Sequence, residues 1–416
     1  MRDSGVKWIG EIPDGWLTRH LRFVAACNPS TSPYDGESQY VALENVEPWT
    51  GRLVDMDTDA TVDSTVSSFD DGQVLFGKLR PYLGKVIRPS FAGVCTTELL
   101  PITPCDMNRD FLYWCLANSE FIKTVNAGTY GVKMPRTSWT QMGRISVPVP
   151  PAEEQAGIAK TLDDATDELD SAISTLTDQL DVLRHYRSSL VHEAVTKGLD
   201  PSAPMRPSGV EWIGDINAAW PMSKVKYQAD VTLGKMLDSG KVEVASIEKP
   251  YLRAGNIVNG RIEGDTKEMP FSFEDMSKFL LRGGDALVVE GGNVGETAIY
   301  EGTESEMYFQ KSLNRVRMFN GRNRFFAYWM SFLKSTGYLP QMCNRSTILH
   351  YTREKLLVTP MVRPSDTEQD EIVSYLDERC GHVNRVIDLK ERQLDVLRRR
   401  RQSLIYEYVT GKRRVR

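Results

Sequence analysis

One segment of this chain occurs twice, and the two copies keep a fixed separation. Gln155 and Gln369, Gln179 and Gln393, and Val195 and Val409 each lie 214 residues apart. The first copy opens with Pro151-Ala-Glu-Glu-Gln155, continues through Gln179-Leu-Asp-Val-Leu183 and closes with Val195-Thr196. The second has Glu368-Gln369, Gln393-Leu-Asp-Val-Leu397 and Val409-Thr410. An offset that holds from Gln155 to Val195 marks a duplicated structural unit, and a duplication of this kind fixes the architecture before any other feature.

Each copy reads as one long helix. In the first, Ile158, Leu162, Ala165, Leu169, Ile173, Leu176, Leu180, Leu183 and Leu190 are spaced mostly by three and four, the pattern of a coiled-coil seam with one stutter after Leu169. The spacing predicts a helix over 153–197, ended by Gly198, Pro201 and Pro204. The second helix is expected from Thr367 to about Tyr408, with Ile372, Leu376, Val383, Ile387, Leu394, Leu397 and Leu404 along its seam. The two seams are expected to close on each other within one chain, Leu162, Leu169, Ile173, Leu180 and Leu183 against Leu376, Val383, Ile387, Leu394 and Leu397. The outer face, acidic in the first helix and arginine-rich from Arg398 to Arg401 in the second, is then left for partners.

A second marker precedes each globular part. Ser4-Gly-Val-Lys-Trp-Ile-Gly with Trp16 returns as Ser208-Gly-Val-Glu-Trp-Ile-Gly with Trp220, offset by 204. Large aromatics repeated in this way predict a hydrophobic clip, with Trp8, Ile9 and Trp16 buried against the domain that follows. The globules, 17–150 and 221–363, diverge in sequence but keep an order of elements. Tyr40-Val-Ala-Leu and Val74-Leu-Phe predict strands, as do Tyr251-Leu-Arg and Ala286-Leu-Val-Val. Phe111 to Phe121-Ile122 and Phe325 to Leu333 predict core helices, and Ile145 to Val149 and Leu356 to Val362 predict closing strands. The fold class is therefore α+β: two pseudo-repeated, β-rich mixed domains separated by two long antiparallel helices in an intramolecular coiled coil. The expected boundaries are 1–150 with the clip 4–16, the first helix at 151–200, 201–363 with the clip 208–220, and the second helix with its tail at 364–416.

Composition excludes several classes. No apolar run approaches the ~18 residues of a membrane span, and Met1-Arg-Asp-Ser-Gly-Val-Lys has no apolar core of a secretory signal. The six scattered cysteines form no Cys-x-x-Cys pair, which fits a reduced, cytoplasmic protein. A net charge of −5 excludes a simple polycation. Residues 17–150 carry twelve bases against fourteen acids and 221–363 twenty against sixteen, so any phosphate contact must come from individually placed bases. The tail Lys412-Arg-Arg-Val-Arg416 reads as solvated, contact with a polyanion being the other reading.

Catalytic signatures are missing. There is no Gly-x-x-x-x-Gly-Lys-Ser/Thr phosphate loop, no Glu-x-Lys nuclease signature, and Asn28-Pro29 continues with Ser-Thr rather than the Pro-Phe or Pro-Tyr of an amino-methyltransferase base pocket. The five histidines lack metal-ligand spacing. His185 and His192, seven apart on one helix face, read as a solvated or partner-facing pair. Gly291-Gly292-Asn293-Val-Gly295 reads as a tight hairpin rather than a dinucleotide fingerprint.

Taken together, Trp-Ile-Gly-x-Ile-Pro at a domain start, Val-Pro-x-Pro-Pro-x-x-Glu-Gln before a long helix and a closing Val-Thr-Gly-Lys resemble the specificity (S) subunit of type I restriction–modification enzymes, over essentially the whole chain. One departure is local: Ile216-Asn217 replaces Ile-Pro in the second clip. The resemblance implies two target recognition domains, each for one half of a split, asymmetric site in double-stranded DNA. The helices would space them and dock methyltransferase (M) subunits, two in number, to which restriction (R) subunits bind. It also implies a chain without catalysis or cofactor of its own, S-adenosylmethionine, ATP and Mg being expected in the partners.

Base readout needs donors and acceptors on loops that reach base edges. In the first domain the candidates are Lys78, Arg80, Tyr82 and Lys85, with Tyr130, Lys133, Arg136, Thr137 and Ser138. In the second they are Asn293, Lys311, Asn314, Arg315, Arg345, Ser346, Tyr351 and Arg353. The alternatives are a recognition subunit of a fused methyltransferase–nuclease system and, in a different class, a coiled-coil interaction scaffold that binds no DNA.

Overall fold

The computed structural model describes residues 1–54, 56, 65–131, 133–236, 246–302, 306–343 and 349–415. The chain divides into two compact units, 1–178 with 390–416, and 179–389. The division runs through both long helices, Ala152–Lys197 and Asp366–Val409, so each unit contains one globule, the start of one helix and the end of the other.

In the first unit the strand Leu17–His20 pairs antiparallel with Ser146–Val149, tying both ends of the globule together just before the helix. The core sheet runs Ala25–Ala26, Leu99–Pro104, Val74–Gly77, Val86–Ile87, all antiparallel. A second sheet holds Thr31–Pro33, Thr65–Phe69, Gly93–Thr96 and Tyr40–Val41, with the last pair parallel. The apolar run from Phe111 to Ile122 is two helices, Arg109–Leu116 and Ser119–Ala127, rather than the one that the spacing suggests. Asn118 breaks it: its side chain accepts from Glu120 N and Phe121 N, offering the backbone a fresh helix start.

The second unit repeats the plan. Met222–Lys224 pairs with Pro360–Val362, and the core sheet runs Ala229–Leu233, Leu313–Met318, Ala286–Val289, Thr297–Ile299. Lys267–Ser272, Ser246–Leu252 and Tyr308–Phe309 make the second sheet, again with one parallel pair. The hairpin expected around Gly291 is present, with Ala286 opposite Ile299 and Val288 opposite Thr297. The segment expected as one strand from Leu356 is a short helix, Arg353–Val358, followed by the strand Pro360–Val362. A short apolar run does not by itself separate a buried helix from a strand, and Leu356 reaches the core from the helix.

The repeated markers are joints. Trp16 Nε1 donates to Glu154 Oε2 at 3.0 Å, and Trp220 Nε1 to Glu368 Oε1 at 3.0 Å. Gln155 accepts from Asn108 N and donates to Pro150 O; Gln369 accepts from Arg322 N and donates to Pro364 O. A turn or two further on, Asp163 accepts from Arg88 and Trp114, and Asp377 from Arg324 and Tyr328. Each Glu-Gln pair thus locks a clip and a globule onto the helix it opens. Trp8, Ile9 and Trp16 are buried as expected. Their pocket also includes the end of the second helix, through Ile405, Tyr408 and Val409.

The tail differs from the solvated reading at its start: Lys412 Nζ donates to Ile9 O at 2.7 Å and lies over the Tyr406 ring. The departure at Asn217 has a local use, since its Nδ2 donates at 3.1 Å to Lys197 O, the last carbonyl of the first helix. Gly198 follows in the left-handed region at φ 85°, and a Cβ there would meet the Trp220 ring at 3.2 Å. Gly198→Ala is expected to cost about 1–2 kcal/mol, from the left-handed penalty plus this contact, read as a lower denaturation midpoint.

Candidate nucleic-acid interface

The two candidate loops of the first domain, about fifty residues apart in sequence, are joined by backbone hydrogen bonds. Leu79 bridges Arg136, Arg80 N donates to Pro135 O at 2.7 Å, and Thr137 N donates to Lys78 O at 3.0 Å. The first loop leaves the core sheet, since Lys78 follows the strand Val74–Gly77 and donates from N to Glu98 O, and the second runs between the helices Ser119–Ala127 and Trp139–Met142. Arg80 sits at φ 50°, a left-handed conformation that is costly for a side chain with a Cβ. The turn closes at Gly84, where a Cβ would meet Trp49 at 2.5 Å. Trp49, absent from the sequence candidates, shapes this loop; its own left-handed φ of 67° is the cost of packing there. Arg80, Tyr82, Tyr130, Lys133 and Met134 are exposed on the resulting platform.

Other candidates are engaged within the protein. Arg136 pairs with Glu98 at 3.2 Å. Lys85 donates to Leu43 O at 2.7 Å, and burial lowers its pKa. Ser138 caps the short helix Trp139–Met142, and Thr137 is buried.

In the second domain the same joint recurs. Gly291 bridges His350, and Tyr351 N donates to Glu290 O at 2.7 Å. Lys311 is exposed beside it, while Asn293 accepts from Lys334 and donates to Glu296. Three candidates belong to the core instead. Asn314 is fully buried, and the Tyr351 hydroxyl is hydrogen-bonded to Thr359 inside the domain. Arg315, 5% exposed, spends its guanidinium on Lys278 O, Leu280 O and Thr232 Oγ1; burial, then Arg317, lowers its pKa. The Arg315 guanidinium fills the interior because backbone carbonyls await it, whereas the buried Asn314 side-chain amide has no hydrogen-bond partner among the described residues. Arg353 donates to Val231 O and holds its helix to the sheet. Arg345 and Ser346 lie outside the described residues. Glu98 and His350 sit at the joints although sequence reasoning did not single them out as reading residues, and a carboxylate or imidazole on a loop carries no signal until the loops meet.

Along the helices Leu162, Leu180, Leu376, Val383, Ile387 and Leu394 are buried, and Leu169, Ile173, Leu183 and Leu397 are half-buried. Arg401, assigned from sequence to the outer face, points inward: its Nε and Nη2 reach the Asp170 carboxylate at 2.8 and 3.1 Å. His192 stacks on Phe332 at 4.9 Å, while His185 stays exposed. Among the described residues no group of three or more His, Cys, Asp or Glu is placed to hold a metal. None of their helices is long and apolar enough to cross a membrane.

Residues 44–180 and 222–398 match the type I restriction modification DNA specificity domain, and the chain belongs to that family. Both matched stretches run from a globular domain into the long helix that follows it. Among curated relatives, the chain is 27% identical over 235 residues to the type I restriction enzyme EcoDI specificity subunit of Escherichia coli, covering 55% of this chain and 52% of that one. The chain thus spans about half the length of that relative. With the putative type I restriction enzyme MjaX specificity subunit of Methanocaldococcus jannaschii it shares 21% identity over 430 residues, covering 98% and 96%. A solved chain from work on complex assembly and conformational transition of the type I R-M system shares the fold, with a TM-score of 0.63 at 17% identity, covering 97% of this chain and all of that one.

Proposed function

We propose that this chain is the sequence-specific DNA-recognition subunit of a type I restriction–modification complex. Each globular domain reads one half of a bipartite, asymmetric site in double-stranded DNA. The observation that carries the reading is the duplicated loop joint: each domain brings two distant loops together at the end of its core sheet, on a frame that is kept while the loop residues differ. A kept frame with changed side chains is what two readers of different sequences require.

The long helices act as an antiparallel intramolecular coiled coil that sets the distance between the two half-sites. At 1.5 Å per residue a helix of 46 residues spans about 69 Å, enough to serve successive major grooves ~34–36 Å apart. Their outer faces dock two methyltransferase subunits, which bring in the restriction subunits. Val182, Tyr186, Leu389 and Val396, apolar yet exposed on these helices, suit such a partner. Methylation and cleavage, with S-adenosylmethionine, ATP and Mg, belong to those partners, and this chain contributes selection alone.

Arg80 gives a direct test. Arg80→Gly relieves the left-handed backbone, and that relief of ~1–2 kcal/mol offsets the ~0.5–1 kcal/mol entropic cost of glycine. The variant, assembled with methyltransferase subunits, is expected to be as stable as the parent. Its DNA affinity should fall, with the sequence preference relaxed in one half-site alone. Unchanged affinity and preference would remove Arg80 from the interface.

A further inference from the structure

The frame of the loop joint aligns the two domains residue by residue. Lys78 N donates to Glu98 O, and Lys78 O accepts from Thr137 N; Glu290 N donates to Ser312 O, and Glu290 O accepts from Tyr351 N. One residue earlier, Gly77 N donates to Lys85 O and Val289 N to Glu296 O. One residue later, Leu79 bridges Arg136 and Gly291 bridges His350. Lys78 and Glu290 therefore occupy one framework position, the first residue beyond the equivalent core strand, and they carry opposite charges there.

Neither side chain is used by the fold. Glu98 is taken by Arg136, and among the described residues no ion pair or side-chain hydrogen bond involves Lys78. In the second domain Ser312 stands where Glu98 stands in the first. Glu290 Oε2 is enclosed there and has no hydrogen-bond partner. Burial pushes the Glu290 carboxyl pKa up, with Glu354 adding to the effect and His350 and Lys311 opposing it. A buried acceptor without a protein donor calls for a donor from outside the chain, a water or a ligand group. Lys78, by contrast, offers donors and no acceptor.

We infer that this position discriminates bases in both domains: Glu290 accepts from the exocyclic amino group of a cytosine or adenine, and Lys78 donates to the N7/O6 edge of a guanine. The pairing follows the major-groove code, in which a carboxylate suits an amino donor and a cation suits the two guanine acceptors. The inference rests on the proposed function and deepens it by naming one position in each half-site.

The test uses the full chain with its methyltransferase subunits, in a host whose DNA is otherwise unmodified by this system. Methylated sites are mapped by sequencing for the parent, Glu290→Gln and Lys78→Met. Glutamine keeps the shape and one acceptor but adds a donor. Glu290→Gln is expected to weaken the preference at a single C or A of one half-site by about ten-fold. Lys78→Met should do the same at a single G of the other half, and in each case the second half should stay as it was. A motif unchanged in both variants would overturn the inference while leaving the parent's site reading intact. Erosion of both halves by either variant, or relaxation at a T, would also overturn it. A parent chain that directs no sequence-specific methylation removes the proposed function itself, and this inference with it.

Discussion

Replacing Arg401 with alanine is expected to destabilise the chain by about 3–5 kcal/mol, the range for breaking a buried ion pair from one side. The guanidinium makes two hydrogen bonds to Asp170, the side chains are 6% and 11% exposed, and Trp114 lies 5.9 Å beneath the cation. Removing the arginine leaves a carboxylate shut away from water with no counter-charge. Replacing both partners, as in Asp170→Leu with Arg401→Met, should recover most of the loss, since well-packed apolar pairs often match or exceed a buried ion pair. Denaturant midpoints at unchanged slope measure both effects. A loss below about 1 kcal/mol in the single variant would be surface-pair behaviour and would contradict the burial. The duplication places Arg187 and Asn384 at the equivalent positions, so the second copy keeps the cation and has lost the carboxylate. The ion pair thus distinguishes two otherwise repeated helix segments, as a device that fixes register would.

The second large effect concerns spacing. Inserting one heptad into both helices, after Asp178 and after Arg392, adds ~10.5 Å of helix at 1.5 Å per residue. With bases stacked ~3.4 Å apart, the gap between the recognised half-sites is expected to lengthen by up to about three base pairs, and methylation of the parent site should be lost. Mapped sites with the parent gap would show that the helices do not set the distance. Loss of methylation with no new gap, in a variant that still binds methyltransferase subunits, would show that the spacing is right but the groove phase is wrong.

The scaffold was open to sequence reasoning because it obeys local rules. The helix expected over 153–197 is observed at Ala152–Lys197, and the one from Thr367 to Tyr408 at Asp366–Val409. Heptad spacing and flanking Gly and Pro are statements about neighbours in the chain. The repeated Trp also announced a buried clip, although not that each tryptophan donates to a helix-opening glutamate. What stayed hidden depends on distant partners. Arg401 looks like one of four surface arginines until Asp170 is opposite it. Arg315 and Tyr351 look like reading residues until buried carbonyls and Thr359 claim them, and Asn314 until its strand is seen to be buried. The candidates Arg80 and Lys133 could be named from residue type and loop context, whereas the joining of their loops through Leu79 and Arg136 needed the fold.

Whether two domains of one chain read two separate half-sites is decided by base-resolution mapping of methylated DNA. The map is made in cells carrying this chain with its methyltransferase subunits, with the Arg80→Gly chain in its place, and without the gene. The expected map holds one asymmetric motif split by a fixed gap, absent without the gene and weakened in one half alone by Arg80→Gly. A continuous motif, a motif that persists without the gene, or an equal loss in both halves would contradict it.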